Sequence, residues 1–303
     1  MVTMGSSPRE QVSPSHGVSA MTGHATGRHR ADIVANDMDA REFLGLRPTH
    51  NPHRWVLPVT SGIATAGRFL FGGCGLAAAI VALEAVSGRP AVWATGQYLS
   101  YAMVDDVMDV DVTVATSGHF TTQARVVAHV ADREILTVNA ALGQRPIAGS
   151  GEWDTPPQVP RPEDCPARTS RWELRDTIME RMDIRLAQGT QWDDLAGQPS
   201  AEGRSALWVR VPDLAVSAAT LAVLGDYVPF GISQALGRWV RSNSLDNTIR
   251  LVRPVATEWV LLDIRVHAVR DGFGHGLVHL WSGDGVLMAT ASQSAIVRDE
   301  APS

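Results

Sequence analysis

The chain has 303 residues, 45% of them hydrophobic, so it is long enough to bury a large core or two packed lobes. Its net charge of −6 gives no electrostatic reason to expect a nucleic-acid partner. The longest apolar runs, 75–86 and 214–224, are too short to cross a bilayer, and no signal-peptide pattern is visible. The two cysteines, Cys74 and Cys165, make neither a disulfide framework nor a zinc site. We therefore expect a cytoplasmic protein with no membrane partner.

Residues 1–35 are rich in Ser, Gly, His and Arg and lack apolar periodicity, which predicts a disordered leader. Met21 or Met38 could then be the true start. The run FGGCGLAAAIVALEAVSG predicts a buried helix, because it is apolar on nearly every face. Gly72 and Gly73 at its start allow close backbone approach and leave N–H groups free. The other elements predicted in this half are a short helix at 37–46 and strands at 54–60, 68–71, 92–100, 107–116, 121–131 and 135–141.

The second half repeats this pattern after a segment rich in Pro and Gly, 145–181, which is typical of a linker and has a helical pattern at 170–181. Residues 94–141 align with 246–293 without a gap, since every position shifts by the same amount (246 − 94 = 152). A constant offset over four strand-like segments indicates two copies of one fold, with domains at 36–144 and 182–303. The second copy is predicted to contain strands at 182–188 and 206–211, a helix at 215–224 before a turn at Pro229, and four strands between 242 and 298.

One buried helix followed by four antiparallel strands, twice over, is an α+β layout in which a curled sheet wraps a helix. Three polar side chains interrupt the apolar strands of the second copy: Asp246, His267 and Gln293. An acid, an imidazole and an amide on three strands of one sheet could hold one water molecule. The corresponding positions of the first copy are Ala94, Ala115 and Ala141.

The runs RFLFGG, SLDNTIRLVRP, EWVLLDIRV and GDGVLMATASQSAIVR resemble the bacterial type II acyl-CoA thioesterases and their peroxisomal relatives. The resemblance covers 39–298 and implies a double hotdog fold, with two tandem hotdog repeats. It also implies hydrolysis of acyl-CoA to free fatty acid and coenzyme A, by a water held between an Asp, a Thr or Ser, and a Gln. Asp246 and Gln293 match the Asp and the Gln, whereas His267 occupies the place of the hydroxyl residue.

Each of these residues has a possible task in thioester hydrolysis. Asp246 could act as the general base, Gln293 could position the water, and His267 could bond the same water or serve as the base. The resemblance also implies that the start of the first helix approaches the polar residues of the other copy. Free N–H groups and a positive helix end suit a thioester oxygen, so the predicted substrate or oxyanion residues are Gly72, Gly73 and Cys74.

The expected ligand is the acyl-CoA substrate, whose phosphates need cationic contacts. The candidates are Arg68, Arg253, Arg270 and Arg298. No cofactor is expected beyond the coenzyme A of the substrate. His275 and His279 lack a third ligand, so no metal is expected either. The double hotdog units could assemble into a homo-oligomer.

Two other interpretations stay open on the sequence. A double hotdog protein without the hydroxyl residue could bind acyl-CoA and turn it over poorly. Alternatively, Asp246 and His267 could act as the acid–base pair of an acyl-CoA hydratase or dehydratase.

Overall fold

A computed structural model describes residues 38–169, 175–212 and 214–299 of the chain. The predicted leader, 1–35, lies outside these residues. So does 170–174, the beginning of the segment with the helical pattern at 170–181. The first half contains α1 (Ala40–Leu44), β1 (Arg47–Pro48), β2 (Arg54–Pro58), α2 (Gly72–Ser87), β3 (Ala91–Tyr98), β4 (Val107–Ser117), β5 (Thr121–Val130) and β6 (Arg133–Gly143). The second half contains β7 (Asp183–Gln188), β8 (Arg204–Arg210), α3 (Ala218–Leu224), α4 (Val228–Leu236), β9 (Val240–Ser244), β10 (Asp246–Leu251), β11 (Val260–Arg270), β12 (Phe273–Ser282) and β13 (Leu287–Asp299).

The strands of the described residues form one antiparallel sheet that runs through both halves. The first half contributes the order β1-β2-β4-β5-β6-β3 and the second half continues with β10-β13-β12-β11-β8-β7, while β9 pairs with β13. The two halves meet where β3 pairs with β10, with Ala94 opposite Ile249. Each half wraps its sheet around a buried helix, α2 or α4, and the apolar side chains of both halves form one continuous core. This is the predicted α+β double hotdog fold.

The two halves carry β-bulges at equivalent positions. The extra residue is Ala115 in β4 and His267 in β11, and a second register shift follows Ala128 in β5 and Leu280 in β12. Both pairs show the offset of the sequence repeat (267 − 115 = 152 and 280 − 128 = 152). Because a bulge fixes the local twist and register of a strand, this agreement indicates that the second half is a structural copy of the first.

The helical part of the second half differs from the prediction. The sequence predicts one helix at 215–224 and a turn at Pro229, whereas the structure has two helices, α3 and α4. Pro229 lies in the first turn of α4, where its missing N–H costs nothing because those N–H groups have no partner within the helix. The break between the helices, 225–227, places Asp226 just before the N-terminus of α4.

Two further differences concern connecting segments. Residues 68–71 do not form the predicted strand; they contribute isolated bridges, such as Phe69 with Met103. The segment 145–181 is not a free linker over its described part, since Trp208 of β8 donates its indole N–H to the Pro160 carbonyl at 2.9 Å and Cys165 is buried beside it. In the part of the chain that the structure describes, no helix is long and apolar enough to cross a membrane.

Candidate active site

Gln293 is the centre of a buried polar group on the inner face of the second half. It lies on β13 and is 3% exposed. Its Oε1 accepts a hydrogen bond from the Val228 N–H at the start of α4, at 3.0 Å. Its Nε2 donates to Ser244 Oγ at 3.0 Å and to Asp226 Oδ1. One donor and two acceptors therefore fix both the position and the orientation of the amide.

Asp226 is the acid of this group, and it comes from the break between α3 and α4. It is 6% exposed; its Oδ1 also accepts from the Ser244 hydroxyl at 3.4 Å, and its Oδ2 accepts from the Gly73 N–H of α2 at 2.7 Å. Burial raises the pKa of Asp226, while the hydrogen bonds from Gln293, Gly73 and Ser244 oppose that rise. The carboxyl group thus lies at the N-terminus of α2, whose dipole favours its charged form.

The N-terminus of α2 reaches Asp226 because its first two residues have no side chains. A Cβ on Gly73 would lie 2.8 Å from the Val223 carbonyl oxygen, and a Cβ on Gly72 would lie 2.8 Å from Asp226 Oδ2. Atoms do not pack at such distances without displacement. The contact expected between the first helix and the polar residues of the other copy is therefore present, although its partner is Asp226.

The predicted oxyanion residues are not equivalent in this arrangement. The Gly73 N–H is used by Asp226, and the Cys74 N–H donates to the Phe71 carbonyl at 3.0 Å. Among the described residues, no acceptor is found for the Gly72 N–H. The Cys74 thiol is fully buried; burial, reinforced by the charge of Asp226, raises its pKa, so Cys74 is held as a thiol.

Asp246 does not join the buried group, which corrects the prediction that it shares a water with the glutamine. It lies opposite the exposed Gln97, on the outer face of the sheet, and its Oδ1 accepts from the Ser294 N–H at 2.8 Å. The cause is an irregularity at Leu245, whose N–H donates to the Ser294 carbonyl. At this point two residues between β9 and β10 lie opposite one residue of β13. Ser244 and Asp246 therefore point to opposite faces although they are two positions apart.

His267 is also outside the site. As the extra residue of the β11 bulge it is exposed to solvent, and it does not take the place of the hydroxyl residue. The hydroxyl group is that of Ser244, which lies within the run SNSLDN. The signal that could have found Asp226 is equally local: it is the single acid in the apolar run LAVLGDYVPF, three residues before a proline that can begin a helix.

The arginines proposed as phosphate contacts lie in different environments. Three of them are exposed on the surface. Arg253 pairs with Glu152 at 3.0 Å, Arg298 donates to Asn243 at 2.6 Å, and the Arg270 side chain is 88% exposed. Arg68 instead lines a cavity of about 130 Å³, which also contains Thr65, Val104 and Arg175. Part of its lining, 61–68, precedes α2 in the chain, and Asp176 also lines it.

The described residues of the first half contain no such polar group. In the described part of the first half, 38–144, Thr122 is the one hydrophilic side chain that is fully buried. His275 donates to or accepts from Ser294 Oγ at 3.1 Å on the outer face. Within the described ranges, no group of three His, Cys, Asp or Glu residues could hold a metal ion.

Comparison with known proteins agrees with this architecture. Residues 162–297 match the family described as the acyl-CoA thioesterase C-terminal domain. A candidate thioesterase from Novosphingobium aromaticivorans is 31% identical, with 83% of this chain and 98% of that chain covered and a TM-score of 0.75. A hot dog fold protein of unknown function from Alicyclobacillus acidocaldarius (18% identity, 86% and 98% covered, TM-score 0.74) shows the same fold. So does the acyl-CoA thioesterase II of Mycobacterium marinum (19% identity, 86% and 99% covered, TM-score 0.68). No curated protein matches in sequence.

Fold and site together define a double hotdog enzyme that carries a buried acid, hydroxyl and amide where its halves meet. The chain belongs to the acyl-CoA thioesterase family, and it is a thioester hydrolase.

Proposed function

We propose that the chain hydrolyses acyl-CoA to free fatty acid and coenzyme A, with Asp226 as the general base and with Ser244 and Gln293 positioning the water. The observation that carries the proposal is the Asp226 carboxyl group, which is buried and hydrogen-bonded to Ser244, Gln293 and the Gly73 N–H. An acid, a hydroxyl and an amide are also the set that the family resemblance implies for holding the water.

These three residues supply the proton transfer and the position of the water. Asp226 takes one proton from the water as the water oxygen attacks the thioester carbon, and a tetrahedral oxyanion forms. When the carbon–sulfur bond breaks, the departing sulfur takes that proton and leaves as the coenzyme A thiol. This transfer restores the carboxylate of Asp226, and the fatty acid product releases its own proton to solvent. Gln293 and Ser244 carry no proton through these steps; their fixed hydrogen bonds orient the water toward the carbonyl carbon.

The geometry also bears on the two alternative functions. A weak acyl-CoA-binding protein was suggested by the missing hydroxyl, and Ser244 supplies one next to Asp226. A hydratase was suggested by an Asp–His pair, but His267 is exposed in a bulge and Asp246 is hydrogen-bonded to Ser294 on the outer face. The observations that favoured the two alternatives therefore no longer support them.

The test is release of free thiol from acyl-CoAs ranging from acetyl-CoA to stearoyl-CoA, followed with a disulfide reagent. Both cysteines of the enzyme are buried, so the native protein should contribute little background. We expect thiol release that is proportional to enzyme concentration and equal to the fatty acid formed. Tight binding of acyl-CoA without any thiol release would contradict the proposal.

Arg68 is expected to bind the phosphates of coenzyme A, because it lines the cavity of about 130 Å³ together with Arg175. The Arg68→Gln variant should raise KM for acyl-CoA by about three- to tenfold and leave kcat unchanged, the effect of one lost contact to a charged group. The same variant should not change KM for acyl-pantetheine, which lacks the nucleotide phosphates. Arg270→Gln, at an 88% exposed side chain, is the matched control and should leave both values unchanged. An equal rise in KM for both substrates would remove Arg68 from phosphate binding.

A further inference from the structure

Tyr98 places a free hydroxyl group beside the proposed site. It is the last residue of β3, on the inner face of the first half, and its N–H donates to the Leu245 carbonyl at 2.9 Å, next to Ser244. Its phenol oxygen is buried and, among the described residues, has no partner at hydrogen-bond geometry. A buried hydroxyl without a partner is unfavourable in the free protein. We therefore expect a bound ligand to supply the missing hydrogen-bond acceptor.

The phenol oxygen and the Asp226 carboxyl group face the same point. A Cβ on Gly72 would lie 3.0 Å from Tyr98 Oη and 2.8 Å from Asp226 Oδ2, so the two oxygens are no further apart than the sum of these distances. They come from different halves of the chain, across the N-terminus of α2. The phenol oxygen is therefore close enough to Asp226 for one bound thioester group to contact both.

The Tyr98 hydroxyl is also suited to donate. Burial, followed by the negative charges of Asp226 and Asp246, raises the pKa of Tyr98 well above its usual value, and the nearby Asn247 amide opposes that rise only in part. The phenol therefore remains protonated at neutral pH. Of the three N–H groups predicted for the oxyanion, Gly73 donates to Asp226 and Cys74 donates to the Phe71 carbonyl, which leaves only that of Gly72.

We propose that Tyr98 is a catalytic residue of this reaction, whose hydroxyl group donates a hydrogen bond to the carbonyl oxygen of the bound thioester and to the oxyanion that forms from it. The inference rests on the proposed function, since it needs the thioester to lie at Asp226. It assigns the oxyanion donor to the first half and the base to the second, so that neither half could work alone.

The Tyr98→Phe variant tests this directly. Because the hydroxyl has the Asn247 amide nearby but, among the described residues, no partner at hydrogen-bond geometry, its removal should leave the melting temperature within about 2 °C of the wild-type value. We expect kcat to fall by a factor of about 10²–10³, as for the loss of one oxyanion donor, with KM changed less than about threefold. Tyr101→Phe, at an exposed ring that contacts Phe69, is the matched control and should be unchanged.

A binding experiment separates donation from packing. An S-2-oxoalkyl-CoA keeps a carbonyl and cannot be hydrolysed, whereas an S-alkyl-CoA has no carbonyl. Tyr98→Phe should weaken binding of the ketone about tenfold or more and leave the thioether unchanged. Equal weakening of both, or an unchanged kcat in Tyr98→Phe while Asp226→Asn is inactive, would overturn the role of Tyr98 and leave the proposed function standing. If Asp226→Asn also retains full kcat, the proposed function fails with it.

Discussion

Replacing Asp226 with Asn is expected to lower kcat for acyl-CoA hydrolysis by a factor of about 10²–10⁴, the usual contribution of a general base. The amide has nearly the shape of the carboxyl group but cannot accept the proton of the attacking water. Its NH2 group must also face either the Gly73 N–H or the donors on Gln293 and Ser244, so at least one hydrogen bond is lost. Thiol release measured at saturating substrate gives kcat, and thermal unfolding checks that the variant is folded.

The pH dependence of the wild-type enzyme should report the same group. The reaction needs the Asp226 carboxylate, and burial raises the pKa of Asp226, so the carboxylate is lost at a higher pH than in an ordinary Asp. As the pH falls, kcat/KM should therefore decline with an apparent pKa above the usual value of about 3.9. The residual activity of Asp226→Asn should lack this decline. An acid limb that persists unchanged in the variant would assign it to another group.

The second large effect is expected at Gly73, where the two halves are in closest contact. In Gly73→Ala the new Cβ would meet backbone atoms, 2.8 Å from the Val223 carbonyl oxygen and 2.9 Å from its Cα. Backbone atoms cannot swing aside, so α2 or α3 must move, and we expect the free energy of unfolding to fall by about 1–3 kcal/mol. Displacing α2 also removes the Gly73 hydrogen bond to Asp226, so kcat should fall as well.

Gly75→Ala, in the same helix, is the matched control. Its Cβ would meet only the ends of flexible side chains, Leu136 Cδ2 at 3.3 Å and Leu70 Cδ2 at 3.4 Å. Alanine is also favoured over glycine in a helix by up to about 1 kcal/mol, so this variant should be close to the wild type in stability. Urea unfolding measures both variants. Equal stability of Gly73→Ala and Gly75→Ala would show that the contact between the halves is looser than described.

Much of the fold follows from patterns that are local in the sequence. The alternation of apolar residues places β3 to β6 to within a few residues and predicts four strands between 242 and 298, where the structure has five, β9 to β13. The offset of 152 (267 − 115) recurs in the bulges of both halves. The break before α4 was missed because Pro229 marks a turn or a helix start equally well, and only packing decides between them. That ambiguity concealed Asp226.

The site shows why spacing within a strand was insufficient. The sequence places Gln293 among the polar residues of the inner face, yet it cannot show that Leu245 interrupts the alternation between Ser244 and Asp246. An irregularity of one residue reverses every side chain beyond it, so the acid that looked buried lies outside. Likewise, the partner of Gln293 is Asp226, 67 positions away in sequence, and only the folded chain brings the two together.

The central claim is that Asp226, and not Asp246, acts as the general base, and one measurement compares the two residues. Thiol release should be followed at saturating acyl-CoA for Asp226→Asn and Asp246→Asn, prepared in parallel and matched for folded fraction. We predict that Asp226→Asn loses at least about a hundredfold in kcat, whereas Asp246→Asn, which only weakens a hydrogen bond to the Ser294 N–H on the outer face, stays within about threefold of the wild type. Full activity in Asp226→Asn together with an inactive Asp246→Asn would contradict the site described at the junction of the two halves.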